Sequence, residues 1–327
     1  MLRAYGPDCD GNIIESASGV IPPGATWIDL EEPTRAEEQL VEKALGLNVP
    51  TQEELAEIEP SSRLFETGKA IYMTVSTLVG VVDGAPSATP IAFVLAGNRL
   101  VTVRYATPKP IRTFADHARR EPELVRDAPT VLARLLDAII DRLADELEAA
   151  GEEVDTISSH IFRRERHETP SRRRIPAERL EALLTRIGRA QGLLARIRET
   201  AVSSHRAIGF MAGTDRVRGD PTLREKINSL GADVSSLTDH SAFLAANLTF
   251  LLDASLGLIS IEQNAAIKVF SVAAVVFLPP TLVAGIYGMN FDHMPELKWL
   301  AGYPWAITLM LMSAILPYMW FKRRGWL

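Results

Sequence analysis

Residues 287–297, YGMNFDHMPEL, place an amide, an imidazole and two carboxylates in a short gap between two long uncharged runs. The amide oxygen of Asn290 is a neutral acceptor, and so are the free carbonyls of a helix that ends beside it. Such acceptors suit the outward-pointing hydrogens of waters already bound to a cation. Magnesium gives up its waters reluctantly, so recognising the hydrated octahedron avoids a large cost. Asp292 and Glu296 just beyond would raise the local cation concentration without gripping the ion. His293 is a candidate for sensitivity to pH or transition metals, against the plainer reading of a surface residue. The plainer alternative is a turn with ordinary interface residues, and three residues alone do not decide between them.

What must position that loop is a membrane. Residues 269–291 and 299–321 are each free of Asp, Glu, Lys and Arg. Each is long enough to cross a hydrocarbon core of about 30 Å. The second run ends in WFKRRGWL, interfacial aromatics followed by Lys322, Arg323 and Arg324. Basic residues mark the cytoplasmic side. Two spans then leave both termini in the cytoplasm, in the cell's inner (plasma) membrane, with the loop outside. MLRAYGPDCDG lacks the charged and apolar regions of a signal peptide. Cys9 is the single cysteine, which precludes an intrachain disulfide.

Net charge is −6, from 35 Lys and Arg against 41 Asp and Glu. Residues 263–327 hold five of the bases and two of the acids, so the first 262 residues carry 30 against 39, or −9. An acidic body suits a cation as partner and argues against nucleic acid.

Upstream of the first span, Leu223, Ile227, Leu230, Val234, Leu237, Ser241, Leu244, Leu248, Leu251, Ser255 and Leu258 step by alternating fours and threes. This heptad seam predicts a helix packed along its length. With no proline before Pro279 it runs into the span, about 100 Å in all at ~1.5 Å per residue. A helix that long needs neighbours, from its own chain or from other copies. Continuing the stepping from Asn264 gives Ile267, Ser271, Ala274, Leu278, Thr281, Gly285 and Gly288, a small or mildly polar face. It reads either as a conduit lining or as a packing face between membrane helices. Two spans cannot enclose a water-filled path, so a conduit requires several copies around an axis. The second span is bulky throughout and reads as lipid-facing.

The first hundred residues read as mixed α and β. Strand chemistry marks 25–30, 70–82, 90–97 and 99–105, with a hairpin turn at AGNRL. Thr34 with Glu37 and Thr51 with Glu54 fit the capping box, and Gly46 is a helix stop. Two helical stretches follow, from about residue 129 and from 176 to 210. Between them RRERHETPSRRR (163–174) reads as a phosphate or lipid patch, or as a solvated helix end. The expected division is a cytoplasmic α/β domain over 1–128, a helical hairpin over 129–220 and a stalk helix over 221–268. The first membrane helix takes 269–289, the outer loop 290–301, the second membrane helix 302–321 and a basic tail 322–327.

YGMNFDHMPEL after a proline-containing span, then GYP, a second span and a basic aromatic tail, resembles the CorA family of magnesium channels. The match extends through IEQNAAIKVFSVAAVVFLPPTLVAGIYGMN and, more weakly, WIDLEEPTRAEEQLVEKALGL, so it spans the chain. The resemblance implies a funnel-shaped homopentamer with an α/β/α sandwich-like α+β domain in the cytoplasm and a pore lined by the first span. It implies an outer selectivity site at Gly288, Met289 and Asn290. Asn264 takes the place of an inner pore asparagine, Leu278 of a hydrophobic constriction and Thr281 of a pore threonine. Family members conduct Mg2+, often Co2+ and nickel, down the electrochemical gradient, and sense cytoplasmic Mg2+ through acids between subunits. Asp233, Asp239 and Asp253 are the candidates for that role here. Ser229 stands where one sensing aspartate belongs in the family pattern.

Two other classes compete. A zinc transporter of the same superfamily usually alters the motif's methionine and lacks MPEL, whereas Met289 and Met294–Leu297 are present here. A membrane-anchored enzyme or signalling coiled coil needs a catalytic constellation. The sequence has no phosphate loop with lysine, no His-Glu-x-x-His and no Cys/His ligand spacing. Its histidines (117, 160, 167, 205, 240, 293) are scattered.

Overall fold

Thr34 and Thr51 open the first two helices, α1 (Arg35–Leu45) and α2 (Gln52–Ala56). The computed structural model describes residues 1–7, 9–14, 19–57, 59, 63–68, 70–162, 177–289 and 294–324. In it each threonine hydroxyl accepts from the N–H three residues on, and Glu37 or Glu54 accepts from the threonine's own N–H at 2.8 Å. Gly46 ends α1 at φ 65°, a left-handed conformation that a Cβ disfavours.

The strands are β1 (Leu2–Gly6), β2 (Cys9–Ile13), β3 (Trp27–Glu31), β4 (Leu64–Thr67), β5 (Ala70–Val79), β6 (Ser87–Ala96) and β7 (Arg99–Arg104). They form one sheet in the order β2-β1-β3-β7-β6-β5-β4. Only β3 and β7 are parallel neighbours. The expected hairpin is β6–β7, closed at Ala96 and Arg99. The strand expected over 70–82 stops at Val79, because the chain turns at Gly80, φ 71°. β1, β2 and β4 were not expected. They are short, and sequences such as CDGNI carry no alternating apolar pattern; their neighbours in the sheet make them strands.

One face of the sheet, with Leu2, Ala4, Ile28, Leu30, Val101 and Val103, packs with Val41 of α1 and Leu55 of α2. The other is covered by α3 (Lys109–Arg120), whose Phe114 ring tilts against Trp27 at 5.4 Å. Trp27 in turn stacks on Tyr5 at 4.4 Å. Helices on both faces make the α/β/α sandwich.

A charged cluster lies under α3. Asp29 and Arg104 are 1% and 2% exposed. Arg104 donates to Asp29 at 2.9 and 3.1 Å, to Glu31 at 2.8 Å and to the Ala106 carbonyl at 2.7 Å. Thr102 donates to Asp29 at 2.7 Å and accepts from the Trp27 indole at 3.0 Å. Each buried charge therefore meets an opposite charge or a dipole, the condition for burying ions at all.

Acid should weaken the domain through two groups. Burial alone would raise the pKa of Glu31, but hydrogen bonds from Arg104 and Thr107 outweigh it and hold it below the usual carboxylate value. The Arg186 fork, at 2.7 and 2.9 Å, does the same for Glu153, against a smaller opposing effect of burial. Both groups bind protons less readily folded than unfolded. Their stabilisation is complete above the unfolded value of about 4.3 and drains as pH falls through the lower folded values. Melts acidified from about pH 5 to about pH 3 should lose Tm, and Glu31→Gln should flatten part of that slope. An unchanged slope in both Glu31→Gln and Glu153→Gln would move the acid sensitivity elsewhere.

After a 3-10 turn (Pro122–Val125) come α4 (Ala128–Phe162), α5 (Ala177–Ala212), the short α6 (Asp215–Gly219) and α7 (Pro221–Tyr287). A second 3-10 turn (Pro295–Lys298) precedes α8 (Gly302–Arg323). The basic segment 163–174 lies outside the described residues. α5 covers the edge of β5 beyond β4, where Ser203 Oγ accepts from the Ser76 N–H at 3.0 Å. The α7 seam is buried at Leu223, Ile227, Leu230, Val234, Ser241, Leu244, Leu248, Leu251 and Ser255, and half-buried at Leu237 and Leu258. Gly231 of α7 faces Ile208 of α5, Leu244 faces Gly151 of α4, and Lys226 pairs with Asp137 at 2.7 Å. The stalk thus takes neighbours from its own chain. Two compact units result, one built of Met1–Glu165 with Ala177–Leu251 and one around Leu252–Leu327.

Candidate functional site

Two helices are long and apolar enough to cross a membrane. The most apolar window of α7 has mean hydropathy 2.2 and none of it is buried; for α8 the values are 1.4 and 6%. A core helix of a soluble protein would bury such a window. Here Phe277, Leu278 and Leu282 are 62–70% exposed, which water does not tolerate over so long a stretch.

α7 continues without interruption through Pro279 and Pro280. Each proline removes the donor for the carbonyl four residues back, at Val275 and Val276. Asn264, Ile267, Ser271, Ala274, Leu278, Thr281 and Gly285 remain on one unbroken helix, all exposed in the single chain. Near its end Leu278, Thr281, Leu282, Gly285, Ile286 and Met289 line a shallow groove of about 390 Å³. The Thr281 hydroxyl donates to the Phe277 carbonyl at 2.7 Å, leaving the oxygen as an acceptor.

The helix closes with Gly288 N–H on the Ala284 carbonyl at 2.9 Å and Met289 N–H on Ile286 at 3.2 Å. A Cβ at residue 288 would stand 3.1 Å from the Ala284 oxygen, so glycine suits this tight last turn. Met289 is 46% exposed. Asn290, Asp292 and His293 lie outside the described residues, as does the side chain of Glu296 within the 3-10 turn. At the C-terminal cap of α8 the Arg324 guanidinium lies 5.3 Å from the centre of the Trp320 ring.

Asp233, Asp239 and Asp253 are exposed on α7. The first and last are about 30 Å apart at ~1.5 Å per residue, so they cannot share one ion within a chain. Among the described residues no three His, Cys, Asp or Glu side chains are arranged to hold a metal. The structure does bring Asp233 to the acidic row Asp137, Asp141 and Asp145 of α4. Burial, then Asp137, raises the Asp141 pKa, with smaller contributions from Asp145 and Asp233 and an opposing one from Lys226. That row went unnoticed in the sequence, although its spacing of four was there to be read.

A family model described as CorA-like Mg2+ transporter protein matches residues 23–323. The chain belongs to this family. Among curated relatives, the magnesium transport protein CorA of Escherichia coli (strain K12) is 34% identical over 303 residues, 93% of this chain and 92% of its own length. That of Yersinia pseudotuberculosis is 33% identical over 301 residues, 92% of each. The complete structure of the CorA magnesium transporter from Methanocaldococcus jannaschii superposes with a TM-score of 0.76 over 95% of this chain and 94% of that one. At 19% identity this likeness shows the fold: the sheet domain, the long helix and the two membrane helices. CorA-like proteins are transporters rather than enzymes, the class expected of a chain without a catalytic constellation.

Proposed function

We propose that this chain is the subunit of a homopentameric channel that admits Mg2+, and also Co2+ and nickel, down its electrochemical gradient. The observation that carries the proposal is the unbroken exposed stripe of α7 ending in the tight turn at Gly288 and Met289. Copies arranged around an axis would turn that stripe inward. Asn264 would face the cytoplasmic end, Leu278 would form an apolar constriction, and Asn290 would ring the outer mouth as a filter for the hydrated ion. Asp292 and Glu296 would enrich cations there. A potential of about 100 mV contributes about 4.6 kcal/mol to a divalent ion, twice the roughly 2.3 kcal/mol per charge, so no ATP is required. The relatives' names, magnesium transport protein CorA, support magnesium as the ion.

The sheet domain (1–128), hairpin (129–220) and stalk (221–268) would lie in the cytoplasm with both termini, and the spans in the inner membrane. Bound Mg2+ at Asp233, Asp239 or Asp253 would bridge acidic faces of neighbouring subunits, and its loss would let the ring open. The measurement is Mg2+ uptake into proteoliposomes under an imposed inside-negative potential. Potential-driven uptake is expected. Uptake of zinc alone, driven by a proton gradient, would assign the chain to the zinc branch, and no cation flux would overturn the reading. Asp233→Asn with Asp239→Asn and Asp253→Asn should abolish inhibition by internal Mg2+; intact inhibition would reject these sites.

A further inference from the structure

Each uncharged run meets basic residues at one of its two ends. Lys268 directly precedes the first run, and Lys322, Arg323 and Arg324 directly follow the second. The acidic side chains nearest to them along the chain are Glu262, six residues before Lys268, and Glu296, 26 residues before Lys322. In the orientation proposed for the spans, all four cations lie at the cytoplasmic edge of the bilayer, while Asp292, Glu296 and Lys298 lie at the outer edge. The cytoplasmic edge thus carries four cations and no carboxylate side chain.

α8 brings three of these cations out of the bilayer in a defined geometry. The Arg324 N–H caps the helix on the Trp320 carbonyl at 3.1 Å, and its guanidinium lies over the Trp320 ring. Tryptophan sits at headgroup level, and a ring face attracts a cation placed over it. The ring is 55% exposed and Phe321 meets it edge-on, so the guanidinium is held where a headgroup can reach it. Lys268, Lys322, Arg323 and Arg324 are all exposed, and none of them forms an ion pair among the described residues. The free carbonyls at the end of α8 account for about half of one negative charge, too little to balance three cations. Headgroup phosphates are the anions at this depth.

We propose that Lys322, Arg323 and Arg324, with Trp320 placing the last of them and Lys268 adding a fourth charge, bind the headgroup of an anionic phospholipid in the cytoplasmic leaflet. Guanidinium donors match the unesterified oxygens of a phosphodiester in geometry and charge. A zwitterionic headgroup offers the same phosphate but brings an ammonium that these cations repel; phosphatidylglycerol brings none. Headgroups lie against the exposed side chains, so the surface needs no cavity.

The test uses the full chain reconstituted in phosphatidylcholine bilayers, with spin-labelled phosphatidylglycerol or phosphatidylcholine as the probe. Electron spin resonance reads the fraction of each lipid held at the protein surface. Phosphatidylglycerol is expected to be preferred by about fivefold or more, the effect of one basic residue near the surface, and the preference should shrink as salt rises. Arg324→Gln leaves Lys322 and Arg323 to set the topology, and should lower the preference by about twofold or more. Trp320→Leu keeps every charge but frees Arg324, and should lower it too. Equal association of both lipids with the wild type would overturn the proposal, as would an unchanged preference in Arg324→Gln. Displacement of the labelled lipid by inorganic phosphate, beyond chloride at equal ionic strength, would assign the cations to the free ion and overturn it as well. Both leaflets carry the probe and no flux is read, so failure here and failure of the channel reading are separate results.

Discussion

Asn290→Ala is expected to abolish Mg2+ uptake while leaving the melting temperature of the protein unchanged. The size of the effect comes from symmetry. In the proposed pentamer a single substitution would remove an amide from every subunit, so all members of the ring would be lost together. A neutral hydrogen bond to a water of the hydrated ion is worth about 1 kcal/mol net. Lost from several copies at once, such bonds amount to a fall in flux on the order of a thousandfold. The tight turn at Gly288 and Met289 is made by backbone groups, and the substitution does not touch it. Asn290→Asp separates two accounts of the same ring. If neutral acceptors read the hydration shell, carboxylates there hold the ion too tightly and slow its release, so flux falls. Uptake by Asn290→Ala near the wild-type rate would make the outer motif a mere turn.

Asp29→Ala is expected to cost the sheet domain about 3–5 kcal/mol, the loss typical of breaking one side of a buried ion pair. Arg104, 2% exposed, would keep only Glu31 and one carbonyl for a charge that water does not reach. Thr102 would lose its acceptor and the Trp27 indole a rigid partner. Urea unfolding of the detergent-solubilised protein measures the loss, and amide exchange should show it concentrated in β3 and β7, the strands the pair joins. Replacing both partners, Asp29→Leu with Arg104→Met, should recover much of the stability, because no charge is then left alone in the interior. A double variant as unstable as Asp29→Ala would mean that packing, not the unpaired charge, causes the loss.

The two predictions differ in what the sequence shows of them. Asn290 stands out because its neighbours in the chain, two uncharged runs and a pair of acids, already describe its surroundings. Asp29 and Arg104 are 75 residues apart, and neither is distinguished by the residues beside it. Asp141 and Asp233 differ in the same way. Each is an ordinary polar residue of an amphipathic helix until α4 and α7 meet.

By itself the sequence determined what depends on neighbours three, four or seven residues apart. These are both capping boxes, the stop at Gly46, the seam of α7, the apolar runs and the stripe from Asn264 to Gly285. Helical periodicity writes such features directly into the order of residues. Only the tertiary structure decided the rest. β1, β2 and β4 are strands because the sheet pairs with them. The stalk's neighbours come from α4 and α5 of the same chain. Tyr5, Trp27 and Phe114 stack together because β1 pairs with β3 and α3 lies over both. Those pairings join residues far apart along the chain, and their energy comes from desolvation and charge at the meeting point, which no local pattern encodes.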